Sequence, residues 1–243
     1  MFGLGKHYLP DDFFRGACDI HSHLLPGVDD GFPTVEKSLH ALKKLEERGI
    51  KKMVLTPHFM KDYPDNDRAN IMAKFEVFKA EASKVCSIEL HLAAEYMLDA
   101  QFMEHYKQGF LTLDKDGNHV LCETSYMMYE PGITEMIYDI MCENYQPVVA
   151  HPERYEYANR DNYFRWKDKR YEFQLNILSL AGAYGEMAVA KAHYLLKEGM
   201  YDYVGSDMHG LGNYERFFPE IRLNKKEMGE LERLLENNKK LIR

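Results

Sequence analysis

The chain has 243 residues, enough to bury a substantial core in one large domain or two small ones. Its composition, 45% hydrophobic and 29% charged, is that of an ordinary globular protein, and a formal net charge of −8 argues against a general nucleic-acid binder, which carries a basic patch. No apolar run approaches the length of a membrane span, and the start from Met1 to His7 holds no apolar stretch suited to a secretory signal, so a cytoplasmic protein without membrane insertion is expected.

In chain order, short apolar runs alternate with helical patterns. A strand is predicted over 17–20, followed by a helix over 34–48. Thr34 can cap that helix, Leu39, Leu42 and Leu45 form its apolar stripe, and Gly49 ends it. Strands over 52–56, 88–93, 119–122, 146–150, 172–177 and 203–205 follow, with amphipathic helices over 68–84, 131–143, 159–169, 185–198 and 225–239 between and after them. Seven strands alternating with helices predict one domain over residues 1–243, with a parallel sheet covered on both faces and closing into a barrel. The four cysteines form no C-x-x-C pair, and none has an arginine six residues later. That leaves reduced thiols and excludes the loop of cysteine-dependent phosphatases.

The chemistry collects at the strand ends. His21 and His23 stand two apart after the first strand, so their side chains point the same way. A Pro26-Gly27 turn can fold Asp30 back over them. The second strand gives His58 after Thr56-Pro57, the third Glu95, the fourth Glu123, the fifth His151 and the seventh Asp207 and His209. The sixth offers only Asn176 and Ser179. In a parallel barrel these C-terminal ends share one rim, where active sites form. Nine nitrogen and oxygen ligands are too many for one ion. Without thiolate they suit two or three divalent metals: Mn, Fe or Zn, with Mg where oxygen dominates. Arg154, three residues after His151, carries a guanidinium fork matched to two phosphoryl oxygens. Asp29 is read as a support or turn residue beside the ligand Asp30, and Glu153 as either a support or an exposed acid. Met127-Met128 is read as barrel-edge packing. His7, His40, His91, His105, His119 and His193 fall outside the ligand pattern.

These residues resemble the PHP (polymerase and histidinol phosphatase) superfamily of metallo-phosphoesterases. The run from Asp19 to Gly31 looks like its CpsB/YwqE type, the tyrosine-protein phosphatases of bacterial capsule and exopolysaccharide loci. Thr56-Pro57-His58, Ala94-Glu95-Tyr96, His151-Pro152-Glu153-Arg154 and Gly205-Ser206-Asp207-Met208-His209 carry the resemblance further. It implies a distorted (β/α)7 TIM-like barrel and a trinuclear centre held by His21, His23, Asp30, His58, Glu95, Glu123, His151, Asp207 and His209, with manganese the first expectation. It also implies phosphotyrosine substrates, such as the tyrosine-rich tail of a bacterial tyrosine kinase. Such proteins often place an arginine soon after the last histidine, and Arg216 is the candidate for that place. A small-molecule phosphatase of the histidinol-phosphate type, an amidohydrolase and a non-enzymatic regulator are the alternatives.

Overall fold

Several of the helices begin where the sequence supplies a cap. The computed structural model describes residues 5–10 and 12–242, and in it Thr34 accepts from the Lys37 amide at the start of a 13-residue helix. Asn159 and Asn224 each open a helix with a reciprocal capping box. The elements run β1 (His7–Tyr8), β2 (Cys18–Asp19), α1 (Val35–Glu47), β3 (Lys52–Leu55), β4 (His58–Phe59) and α2 (Arg68–Ala82). Next come β5 (Glu89–Leu92), β6 (Glu95–Met97), α3 (Phe102–Gln108), β7 (His119–Glu123), α4 (Ile133–Cys142), β8 (Gln146–Ala150) and α5 (Arg160–Asp168). The chain ends with β9 (Glu172–Asn176), α6 (Gly185–Lys197), β10 (Tyr203–Gly205), α7 (Leu211–Phe217), β11 (Arg222–Leu223) and α8 (Lys225–Leu241).

All seven predicted strand regions and all six predicted helices are present. Helices α3 and α7, the short strands β4 and β6 and the antiparallel ribbon β1–β11 are additions. Six strands form a curled parallel sheet in the order β10-β9-β8-β7-β6-β4, and β2-β3-β5 form a second parallel sheet. The second predicted strand, 52–56, is β3 of the second sheet, and the chain just beyond it enters the first sheet as β4. Thr56-Pro57 separates β3 from β4, and proline has no N–H to continue a ladder. The third, 88–93, is likewise β5 of the second sheet, and β6 of the first sheet begins after Ala93-Ala94. Pairing continues past the strand ends within each sheet: the Thr56 amide donates to Ser22 O (2.8 Å) beyond β3 and β2, and the Glu95 amide donates to Pro57 O (3.1 Å) at the start of β6 and β4. At the other side Ser22 bridges Met208, and the Asp207 amide donates to His21 O (2.8 Å).

The main core lies between the sheets and their helices. A smaller apolar cluster, including Cys18, Val54, Leu121, Val148, Ala150 and Tyr203, takes residues from β2, β3, β7, β8 and β10, with Ile242 beside them. No helix among the described residues is long and apolar enough to cross a membrane. All four cysteines are free thiols. Met127 and Met128 do not pack at a barrel edge. They are 73% and 62% exposed, because the loop after β7 carries them outward beyond the buried Thr124.

The seam between β2 and β10 depends on one side chain from α8. Asn238 is fully buried. It donates to Cys18 O (2.8 Å) and Val204 O (2.6 Å), and accepts from the Val204 amide (3.2 Å). An Asn238→Ala variant leaves these backbone groups without partners in a dry interior. We expect it to lose roughly 2–4 kcal/mol of stability, read from urea unfolding midpoints.

Candidate metal centre

The loop after β2 folds back on itself. The Gly27 amide donates to Phe32 O (2.8 Å) and the Phe32 amide to His23 O (3.2 Å), which brings Asp29 and Asp30 over the two histidines. Two glycines make room for the imidazoles. A Cβ on Gly31 would lie 2.5 Å from the His23 Cβ, and one on Gly205 would lie 2.6 Å from the His21 Cβ. Neither position tolerates a side chain while the histidines stay where they are.

All nine predicted ligands come together, and eight of them fall into three overlapping groups. His21, His23, Glu95 and Asp207 form a buried one; His58, Glu95 and Glu123 form a second; His23, Asp30, His58 and His209 form a more open third. Glu95 Oε2 lies 3.2 Å from His21 Nε2, 3.3 Å from His23 Nε2 and 3.3 Å from His58 Nδ1. Asp207 Oδ1 lies 3.3 Å from His21 Nε2 and 3.2 Å from His23 Nε2. His58 Nδ1 is 3.0 Å from Glu123 Oε1, and Asp30 Oδ1 is 3.5 Å from His58 Nε2 and 3.3 Å from His209 Nε2. His151 joins through Nε2, 2.9 Å from Glu95 Oε1.

These atoms crowd one another without making a hydrogen-bond network. His58 Nδ1, Glu95 Oε2, Glu123 Oε1 and Asp207 Oδ1 are buried and have no aligned hydrogen-bond partner. Buried polar atoms are rarely left so. Ligand atoms directed at shared points between them have this character, so the residues fit divalent cations.

Support residues fix which nitrogen faces inward. Gln174 Oε1 holds His21 Nδ1 (2.9 Å), and Asp29 Oδ2 holds His23 Nδ1 (2.8 Å), leaving both Nε2 atoms for the centre. Asp29 also accepts the His58 amide (3.1 Å), while Asp30 lies in the cluster. Asn176 donates to Asp207 Oδ2 (2.9 Å). Buried Asp19 accepts from the amides of His21 (3.2 Å) and Ser206 (3.0 Å). Gln174, Asn176 and Asp19 were not singled out as supports from sequence. The available signal was an amide pair two residues apart on an otherwise apolar strand.

Charge is concentrated here. Burial works against protonation of His21, but Glu95 and Asp207 outweigh it and lift the group to about 9. Burial likewise opposes the charge on Asp207, and His21, His23 and Arg154 overcome it, holding the carboxyl well below its usual range. Hydrogen bonding to His209 lowers Asp30 to about 2.

Arg154 sits at the edge of this cluster, its side chain 17% exposed. Its Nη1 donates to Asp207 Oδ2 at 2.7 Å. The guanidinium lies between two rings, 4.4 Å from the Tyr126 centroid and 4.1 Å from that of Tyr184. It lines a cavity of about 250 Å³ together with Asp30, Tyr184, Asp207, His209 and Asn213. Glu153 points the other way and is fully buried, accepting from Ser179 Oγ (2.8 Å) and Tyr201 OH (2.9 Å). Arg216 is not brought to the cluster. It is exposed on α7 and lines a separate cavity with His193 and Arg222. Two of the ligand positions hold left-handed backbone without being glycine: His151 at φ 32° and Asp207 at φ 49°.

Replacing Asp29 by alanine frees His23 to rotate and drop its tautomer. Metal affinity should fall about 10–100-fold while the fold is kept, as measured by competition with a chelating dye and by circular dichroism.

Comparison with known proteins gives the same picture. The family model described as capsular polysaccharide synthesis, CpsB/CapC, matches residues 17–242. The tyrosine-protein phosphatase YwqE of Bacillus subtilis is 26% identical over 230 residues, covering 92% of this chain and 90% of its own. The tyrosine-protein phosphatase CpsB of Streptococcus pneumoniae is 29% identical over 208 residues, covering 79% and 83%. Among solved structures, one from the crystal structures of YwqE and CpsB, described as metal-dependent tyrosine phosphatases, superposes with a TM-score of 0.78 at 23% identity, covering 92% of this chain and 93% of that one. With a match across all but its ends, a like fold, and a nitrogen–oxygen cluster at the strand ends, the chain belongs to the CpsB/CapC family.

Proposed function

We propose that this protein is a metal-dependent protein-tyrosine phosphatase, a phosphoric monoester hydrolase acting on a phosphotyrosine protein of capsular or exopolysaccharide synthesis in the cytoplasm. A bacterial tyrosine kinase tail is the expected substrate. The observation that carries the reading is the nine-residue cluster with a half-buried arginine directly beside it. We further infer that the two sheets make up one single-domain, distorted (β/α)7 barrel. The bridge from Ser22 to Met208 and the hydrogen bond from Asp207 to His21 support that inference.

The groups of His21, His23, Glu95 and Asp207, of His58, Glu95 and Glu123, and of His23, Asp30, His58 and His209 would hold two or three divalent ions, manganese first, with His151 on Glu95. Bound there, such ions lower the pKa of water and neutralise phosphoryl charge. The protein's own part is positioning. Arg154 has one amino group tied to Asp207 and its plane held between Tyr126 and Tyr184, so its fork is preset for two phosphoryl oxygens without loss of rotamer freedom. The Tyr184 ring, Leu178 and Met208 give the same cavity apolar wall suited to an aryl group. A tyrosine phenolate, with a pKa of about 10, leaves with less protonation than an alkoxide needs, so the chemistry makes light demand on a general acid. Arg216 has no part in this reading.

Two variants separate the roles. His151→Ala should lose metal and activity together. Arg154→Ala should retain metal by elemental analysis yet lose about 100-fold or more in kcat/KM on a phosphotyrosine peptide. Full turnover by Arg154→Ala would remove the clamp from the mechanism. The wild-type protein assayed beside them should prefer phosphotyrosine peptide to phosphoserine peptide and to histidinol phosphate, and should be silenced by chelator. A preference for histidinol phosphate would move it to the small-molecule phosphatases.

A further inference from the structure

A second cavity, about 430 Å³ in volume, adjoins the catalytic one. The two share His209 and Gly210 as a common wall. Its other lining is Phe32 and Pro33 from the loop after β2, Glu36, Lys37 and His40 from α1, and Leu211 from the start of α7. Its volume is that of a ligand pocket, roughly 300–1,000 Å³. None of these six residues has a part in holding metal or phosphate in the mechanism above.

The position of the groove limits what it can serve. It opens one residue's breadth from the place where a phosphotyrosine would sit, because a single wall separates the two spaces. Consecutive residues of a polypeptide are 3.8 Å apart, so a side chain within two residues of the phosphotyrosine reaches across that wall. Phe32, Pro33 and Leu211 make the surface apolar, and Glu36 and Lys37 are adjacent opposite charges that leave no net preference for a charged guest. Eight lining residues are far fewer than the roughly 20–30 per side of a stable protein interface, so the groove suits a side chain rather than a second copy of the chain.

We propose that this groove is a specificity subsite that takes an apolar side chain of the substrate polypeptide within two residues of the phosphotyrosine. The assignment rests on the phosphatase reading. It adds that the enzyme reads sequence around the phosphate and does not act on phosphotyrosine alone.

The test uses the full-length, metal-loaded protein and a set of phosphotyrosine peptides. A leucine, or in parallel an aspartate, is moved through positions −2 to +2 in an alanine background. Leucine at one position should raise kcat/KM about tenfold over alanine and over aspartate, chiefly through KM. His40→Trp fills the groove from α1, and Leu211→Asp makes its wall polar. In each variant the advantage of the leucine peptide over the alanine peptide should vanish, with metal content checked in the same samples. Equal kcat/KM across the peptide set overturns the subsite while leaving the phosphatase reading intact, and so does a leucine preference that survives both variants. Failure to hydrolyse any phosphotyrosine peptide overturns both.

Discussion

Four carboxylates and five imidazoles share the rim of this fold, and most of them are cut off from water. Buried like charges repel strongly, and a carboxylate removed from solvent needs a cation, a proton or directed hydrogen bonds. Here the histidines and Arg154 supply only part of that compensation, since one oxygen each of Glu95, Glu123 and Asp207 still lacks an aligned donor. The arrangement therefore makes sense as a receptor for divalent ions. Each strand end has to deliver its ligand to one small volume, and the apolar cluster beneath, the Asn238 seam and the tight approach at Gly31 and Gly205 all serve that delivery.

The site was more legible in the sequence than the sheet around it. Ligands at strand ends follow a local rule: an apolar run, then a histidine or acid. His21, His58, Glu95, Glu123, His151 and Asp207 each obey it, and the structure gathers them. Helix caps are equally local, and Thr34 acts at the position its spacing implies. Where the sheets divide depends on pairing between strands distant in sequence, and at Thr56-Pro57 a residue lacking an amide hydrogen interrupts one ladder while its carbonyl serves the next. Asn176 reads only as a polar strand end and Gln174 does not stand out, because the sequence does not say which buried group an amide will meet.

Arg216 shows how a missed helix misplaces a residue. On an extended loop, seven residues past His209 could return an arginine to the phosphate. Instead α7 advances only about 1.5 Å per residue and turns Arg216 toward another cavity. Arg154 needs no such return, because the short turn after β8 keeps it beside Asp207, and the rings of Tyr126 and Tyr184 hold it there.

The left-handed backbone at His151 and Asp207 sets the two aims of the chain against each other. Non-glycine residues in that region are strained, by about 1–3 kcal/mol each, and persist only because their surroundings insist. Glycine at either position would relax the backbone at once and delete a cluster residue in the same step. Thermal tolerance alone does not favour that step at Asp207, because it would leave Arg154 and Asn176 without their shared acceptor. A laboratory lineage evolved for heat resistance without an activity screen would release the strain at Asp207 only by changing Arg154 along with it.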